Sequence, residues 1–164
     1  MTSNNSIFYR DGIIEGVIVR EVIRHADTRG WLAELFRADE LPPELMPVMS
    51  YVSETLPGIA RGPHEHVDQT DLFGFLGPGD LKLYLWDSRR KSSTFGSKFS
   101  RIVGASSPCV VLVPPGVVHA YKSVSDIPAL VFNAPNRLYA GTGKKSSVDE
   151  IRHENASDSP YRLD

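Results

Sequence analysis

Residues Arg61–Asp87 read RGPHEHVDQTDLFGFLGPGDLKLYLWD. In LKLYLW, Leu81, Leu83 and Leu85 share one face of an extended chain and Lys82, Tyr84 and Trp86 the other, which is the two-residue period of a strand. The GPGD that precedes this run is turn chemistry, because Gly tolerates positive φ and Pro fixes its own. Earlier in the stretch, His64 and His66 are two apart, so on a strand both side chains leave the same face. Asp71 follows five residues after His66, which would place it on the opposite face of an unbroken strand. The polar VDQT interrupts that strand and lets Asp71 begin the next one beside the histidines.

The same punctuation runs through the chain. Its 13 Gly and 12 Pro fall between short apolar runs rather than in one linker. The runs GVIVREVI, LAELFR, MSYVSETL, DLFGFLG, DLKLYLWD, FSRIVGA, CVVLVPPG, VHAYKSV and ALVFNAP read as strands. Helix has few places to form: ADELPPELM is expected to give one turn and SSVDEIRHE two. Many short strands with little helix predict an all-β sandwich or barrel, here one domain over residues 1–164. The ends, Met1–Ser6 and the residues after Asp158, are expected to be mobile or to dock on a partner subunit.

Composition excludes several classes of function. The chain is 41% hydrophobic and 23% charged with a net charge of −2, and its basic residues are scattered, so no nucleic-acid footprint appears. No apolar run is long enough to span a membrane. The start, MTSNNSIFYRDG, lacks the basic end and apolar centre of a secretory signal. The expected setting is the cytoplasm. Cys109, alone inside SPCVVLV, reads as a small buried hydrophobe. His25 and His153 stand among charged residues and read as solvated, and Asp87 and Arg89 in WDSR as a local pair. The NAS at Asn155 matches a glycosylation acceptor that a cytoplasmic chain does not use.

A second histidine group lies downstream. In VPPGVVHAY a Pro-Pro-Gly turn delivers His119 at the start of another strand. His-x-His followed by an acid, and later Pro114, Gly116 and His119, resembles the two-part signature of the cupins, small jelly-roll β-barrels whose mouth holds a metal on three His and one acid. Three imidazoles and a carboxylate suit a first-row divalent ion, which would polarise a bound carbonyl. Alternatively, His119 is a hydrogen-bonded core residue and Asp71 caps a turn.

The stretches DTRGWLAELF (27–36), GIARGPH (58–64), GDLKLYLWDSRRKSSTFG (79–96), VPPGVVHAY (113–121) and IRHEN (151–155) resemble, in order and wording, the dTDP-4-dehydrorhamnose 3,5-epimerase family over roughly residues 13–155. The resemblance implies a metal-free cupin-fold homodimer that swaps N-terminal strands and acts on a nucleotide-linked 4-keto-6-deoxy sugar. It further implies that His64 is the catalytic base, that Arg29 and Arg61 contact the sugar nucleotide through its diphosphate, and that Tyr139 or Leu138 stands at the acid tyrosine. Guanidinium forks match phosphate oxygens. A base near neutral pKa favours His for proton removal beside a ketone, and the enolate needs positive charge or strong donors. Glu34, in the same motif as Arg29, would hold that arginine, and the carboxylate orienting the base would fall at Glu154 or Asn155.

The chain also departs from that pattern. Asp71 stands where the family has the lysine that stabilises the enolate, His66 where it has Gln, and Met49 and Tyr51 where it has Gln and Asn. A divalent ion on His64, His66, Asp71 and His119 would replace the missing lysine charge. A coordinated His64 would then pass proton transfer to Tyr139, Tyr121 or Glu154. RGPHEH also resembles the nucleotide-sugar 3,4-ketoisomerases, which implies His64 and His66 as base and acid, with Asp71 tuning one of them and no metal. The remaining alternatives are a metal-dependent cupin enzyme on a small metabolite and a non-catalytic sugar-binding cupin. Trp31 and Trp86 read as packing or rim residues on which a base could stack.

Overall fold

The computed structural model describes residues 7–164; Met1–Ser6, expected to be mobile or docked, lie outside the described residues. The strands run β1 (Arg10–Asp11), β2 (Ile18–Glu21), β3 (His25–Asp27), β4 (Gly30–Leu32), β5 (Tyr51–Thr55), β6 (Ala60–Glu65), β7 (Asp71–Pro78), β8 (Asp80–Asp87), β9 (Ser97–Gly104), β10 (Cys109–Val113), β11 (Val117–Ser123), β12 (Ala129–Asn133) and β13 (Ile151–Arg152). A six-stranded sheet has the order β1-β9-β8-β11-β6-β13, a five-stranded sheet the order β2-β10-β7-β12-β5, and β3 and β4 form a hairpin. All pairings are antiparallel except β1 with β9.

The alternation in the sequence explains how the two sheets close on each other. Phe73, Phe75, Val111 and Val113 from one sheet meet Leu81, Leu83, Leu85, Val103 and Val117 from the other in a single core. Their neighbours in sequence point outward into two further apolar layers. On the five-stranded sheet, Leu72, Val110 and Leu112 are covered by Leu35, Leu41 and Leu45. On the six-stranded sheet, Tyr84 and Trp86 pack with Val118, Ala120 and Tyr161. Both faces of LKLYLW are therefore buried. Cys109 is fully buried in the core, as its apolar surroundings imply.

Two elements differ from the pattern-based expectation. Within LAELFR only Leu32 is in a strand; Leu35 instead lies over the bare backbone of Gly74, filling the space a side chain would have taken. SSVDEIRHE forms no helix. Its middle is β13, which extends the six-stranded sheet by pairing Ile151 with Glu65 and Arg152 with His64. The free edge of β6 offers this segment hydrogen bonds, and its alternating residues suit a strand. ADELPPELM does give a single 3-10 turn, Pro43–Leu45, and a second turn spans Thr142–Lys144.

A bulge in β6 positions the site. Strand period would send Arg61 and His64 to opposite faces, yet His64 pairs with His119 and Arg61 with Tyr121, with a register shift between them. The extra residue turns Arg61 to the same side as the histidines. Gly62 makes this possible with φ of +80°. A Cβ there would lie 2.6 Å from the His119 carbonyl oxygen and 3.0 Å from His64 Nδ1.

At the far end of β8, the buried Asp87 carboxylate accepts from Arg89 Nε at 2.8 Å and from the Ser92 and Thr94 hydroxyls at 2.6 Å each. Burial alone would raise its pKa, but Arg89, Ser92 and Thr94 outweigh that and hold it at about 2, below the ordinary 3.8. A depressed folded pKa means that this stabilisation is complete above the unfolded value and is lost as pH falls from about 4 through about 2, roughly 2 kcal/mol in all. Urea midpoints measured between pH 5 and pH 2 should show this loss, and Asp87→Asn should lower the midpoint at neutral pH while removing that component. Gly62→Ala forces the left-handed backbone and the close carbonyl contact together and should cost about 1–3 kcal/mol in thermal unfolding, with activity lost before the fold is.

Candidate active site

Two strands deliver the histidines. His64 lies near the end of β6, His66 just beyond it, and His119 in β11 after the Pro-Pro-Gly turn, whose Gly116 N–H donates to the His66 carbonyl at 2.8 Å. The ligand atoms of all three lie within 4.8 Å of one another. The His64 and His119 rings are 4.4 Å apart between centroids, and those of His66 and His119 5.6 Å. Asp71 opens β7 on the facing sheet, so VDQT does break the strand and return the carboxylate to the histidines. Its Oδ2 is 3.0 Å from His66 Nε2 and 3.4 Å from His119 Nε2, while Oδ1 accepts from Gln69 Nε2 at 2.9 Å and Asn133 Nδ2 at 3.0 Å.

The tautomers of two rings follow from their backbone partners. His119 Nδ1 is 3.1 Å from the Val117 carbonyl, and His66 Nδ1 meets the Asp149 carbonyl. A carbonyl can only accept, so each Nδ1 carries a proton and turns Nε2 toward Asp71; His119 does so as a neutral ring, whereas Asp71 favours a second proton on His66 Nε2. Asp71 Oδ2 and His119 Nε2 have no properly directed hydrogen-bond partner although both are buried. The Asp149 carboxylate fixes the intervening loop by accepting from the backbone N–H groups of Val67, Asp68 and Gln69 at 2.8–3.0 Å.

The environment separates the three imidazoles electrically. Burial lowers the His64 pKa to about 3, with the charge of His119 acting the same way and that of Glu150 opposing. Burial also lowers His119, against the pull of Asp71. Burial opposes the charged form of His66 as well, but the Asp71 carboxylate and the Asp149 carbonyl outweigh it and raise its pKa. His64 is thus the neutral imidazole with a free role, beside a His66 that tends to hold positive charge.

His64 opens onto two adjoining cavities of about 310 and 360 Å³, both also bounded by Tyr51, Glu150 and Arg152. Tyr139, Met49 and Leu138 line the first; Arg61, Tyr121 and Glu154 line the second. Arg61 is tethered through Nε to Thr55 Oγ1 at 3.1 Å and through Nη2 to the Glu54 carbonyl at 2.6 Å. His119 and Asp71 do not face the cavities. His119 is 1% exposed behind His64, in a supporting position against His64, His66 and Asp71.

Other expected residues fall elsewhere. Arg29 sits in the β3–β4 turn, largely exposed and paired with its neighbour Asp27 at 2.5 Å, because the tight hairpin brings those two together. Glu34 reaches Arg37 at 3.5 Å rather than Arg29. Neither lines the cavities of its own chain. His153 is not solvated: its Nε2 is 2.9 Å from Glu65 Oε1 and its ring packs 4.7 Å from that of Tyr161. Asp87 and Arg89 pair as expected. Trp86 is core, whereas Trp31 is half exposed on the outer surface. Glu150 and Arg152, which sequence reasoning passed over, join Glu154 on one wall, and Arg152 donates to Glu150 at 2.6 Å. Their signal was present as the two-residue spacing Glu-x-Arg-x-Glu.

The comparisons fit this geometry. The family model described as dTDP-4-dehydrorhamnose 3,5-epimerase matches residues 12–149. A probable low-salt glycan biosynthesis epimerase, Agl13 of Haloferax volcanii, is 36% identical over 127 residues, covering 77% of this chain and 81% of its own. The spore coat polysaccharide biosynthesis protein SpsL of Bacillus subtilis is 34% identical over 119 residues, covering 73% and 78%. The crystal structure of a dTDP sugar isomerase from Desulfovibrio desulfuricans superposes with a TM-score of 0.79 at 24% identity, covering 91% of each chain, a likeness in fold that makes the two facing sheets a cupin-type jelly roll. With the family model matched across most of its length, the chain belongs to the dTDP-4-dehydrorhamnose 3,5-epimerase family and is an enzyme of the epimerase type.

Proposed function

We propose that this enzyme epimerises a dTDP-linked 4-keto-6-deoxy sugar by removing a proton beside the ketone and returning one to the opposite face. The supporting observation is His64: a neutral, largely buried imidazole opening on a cavity whose walls carry Arg61 and Arg152. Its lone pair takes the carbon-bound proton, and the C–H electrons move into an enolate. Arg61 lies where a diphosphate can be gripped by a guanidinium fork. The returning proton requires a donor across the sugar, and Tyr51, Tyr121 and Tyr139 are the cavity phenols. The substrate's nucleotide and its charge give the site its chemistry, and a cytoplasmic setting is part of this reading. No helix among the described residues is long and apolar enough to cross a membrane.

The enolate also needs positive charge where Asp71 has displaced the family lysine. The donor set fits a divalent ion: two Nε2 lone pairs, from His66 and His119, converge on the unpartnered Asp71 Oδ2. When bound, such an ion supplies electrostatic stabilisation to the enolate oxygen. The expected set also counts His64, whose ligand atom lies within 4.8 Å of those of His66 and His119; in this proposal it is kept free as the base, and Asp71 contacts only the other two rings. A second reading rests on the two acceptors flanking His66. With no ion present, that ring, protonated between Asp71 and the Asp149 carbonyl, provides the charge beside His64; as acid to His64's base it would instead serve the 3,4-ketoisomerase alternative.

Assembly as a homodimer completes the proposal. The outer face of the five-stranded sheet shows Trp31, Val52 and Leu130 around a cavity of about 390 Å³. Arg29, remote from its own chain's cavities, becomes useful if a second copy receives it, as the swapped N-terminal strands of the resemblance imply. Glu34 then belongs with the hairpin rather than with the sugar.

Wild-type enzyme incubated in D2O with dTDP-4-keto-6-deoxyglucose should incorporate deuterium beside the ketone, followed by NMR, and His64→Ala should slow that by roughly 10²–10⁴. Absence of exchange in the wild type overturns the epimerase reading. Arg61→Ala should weaken dTDP binding roughly tenfold or more, read as a smaller rise in melting temperature with dTDP, and binding equal to wild type would exclude Arg61 from the nucleotide site. Untagged protein analysed by inductively coupled plasma mass spectrometry should carry a near-equimolar divalent metal that Asp71→Asn loses. Full activity after complete chelation would remove the ion and leave His66 as the source of charge.

A further inference from the structure

We infer that Tyr51 is the proton donor, the phenol that protonates the enolate on the face opposite His64. The inference deepens the epimerase reading and rests on it. Inversion demands that donor and base stand on opposite sides of the sugar carbon, which is a condition on sheets as much as on residues. His64 belongs to β6 of the six-stranded sheet, and Tyr51 opens β5 at the edge of the five-stranded sheet facing it. Tyr51 and His64 bound both cavities together, so a ring lying between the sheets meets the imidazole on one side and the phenol on the other.

The alternatives fail this condition or lack support. Tyr121 lies on β11, beside β6 and paired in register with Arg61, so it shares the base's side, and its hydroxyl is already engaged with Ser53 at 3.4 Å. Tyr139 lines only the first cavity, and among the described residues no hydrogen bond fixes its hydroxyl; its backbone N–H donates to Met49 Sδ at 3.1 Å. It serves better as a rim contact than as a placed acid.

Tyr51 is oriented by a partner that leaves its proton free. Asn133 Nδ2 donates to Tyr51 Oη at 2.8 Å and to Asp71 Oδ1 at 3.0 Å. The Asn133 amide is 1% exposed and spends both hydrogens on these two oxygens. Because Oη accepts from Asn133, its own hydrogen points elsewhere, toward the cavity. The same amide hydrogen steadies the phenolate that remains after transfer. Tyr51 is 47% exposed, open to the cavity; the buried part of its ring raises its pKa to about 12, against the lowering effect of Asn133, so the proton is in place at neutral pH.

The step balances without any co-reactant. His64 takes the carbon-bound proton and its bonding electrons pass to the enolate. The enolate carbon then takes the Tyr51 proton on its other face, restoring the ketone. Imidazolium and phenolate return to their starting forms by exchange with solvent.

The test separates proton removal from inversion. Wild type, Tyr51→Phe and Tyr139→Phe are each given dTDP-4-keto-6-deoxyglucose in D2O, and NMR follows deuterium incorporation and the inverted product separately. In Tyr51→Phe, incorporation with retained configuration should stay within about threefold of wild type while inversion falls by roughly 10²-fold or more; Tyr139→Phe should keep both in wild-type proportion. Inversion at the wild-type rate in Tyr51→Phe overturns the assignment, as does an equal fall in exchange and inversion. Should the phenylalanine variant fold poorly, 3-fluorotyrosine at position 51 keeps the hydrogen bond. It should move the basic limb of the inversion rate to lower pH, and an unmoved limb counts against Tyr51. No exchange in the wild type would instead remove the epimerase reading itself, so the two failures are distinguishable.

Discussion

Everything at the mouth of this barrel is arranged around one buried carboxylate. Asp71 is inaccessible to solvent, and an isolated charge there would be prohibitive. The protein answers with two amide donors on Oδ1 and two imidazole nitrogens facing Oδ2. Those contacts in turn decide which way His66 and His119 point and where Asn133 sits. Holding them in place requires both sheets, since Asp71 and Asn133 come from the five-stranded sheet and the histidines from the other. Closure of the jelly roll and construction of the site are therefore one event.

This network redistributes positive charge rather than simply losing it. A lysine in the place of Asp71 would put charge on one flexible side chain. Here the carboxylate favours positive charge on the rigid ring of His66, beside His64. Direction is gained as well, because Val117 and Asp149 fix the outer nitrogens and so aim the inner ones. His64, touched by neither carbonyl nor carboxylate among these contacts, keeps the lone pair that proton removal requires.

Sequence pattern reached the local parts of this design. The two-residue spacing of His64 and His66, the Pro-Pro-Gly turn before His119, and the polar break before Asp71 each act over a few residues, and each places its side chain as expected. Arg61 is different. Period alone would turn it outward, and only the bulge at Gly62 brings it to the cavity wall, so spacing alone does not place it. Glu150 and Arg152 were hidden because an alternating charged run beside Val148 and Ile151 fits a short helix about as well as an edge strand; the unpaired edge of β6 settles the matter and lies far away in sequence. Tyr51 and Asn133 meet across 82 residues, a pairing that register creates and composition does not announce. The exposed Asp27–Arg29 turn shows the converse case, a recognisable motif that lies away from its own chain's cavities.

One wall of the cavity is attached quite lightly. Arg152 lies on a two-residue strand at the margin of the larger sheet and Glu150 immediately precedes it, whereas the imidazoles and Asp71 are embedded in the barrel proper. Side chains on such a margin can be exchanged with little disturbance to the hydrophobic interior. The lining of this wall and the durability of the fold are consequently governed by different parts of the molecule, and the one can change without the other being rebuilt.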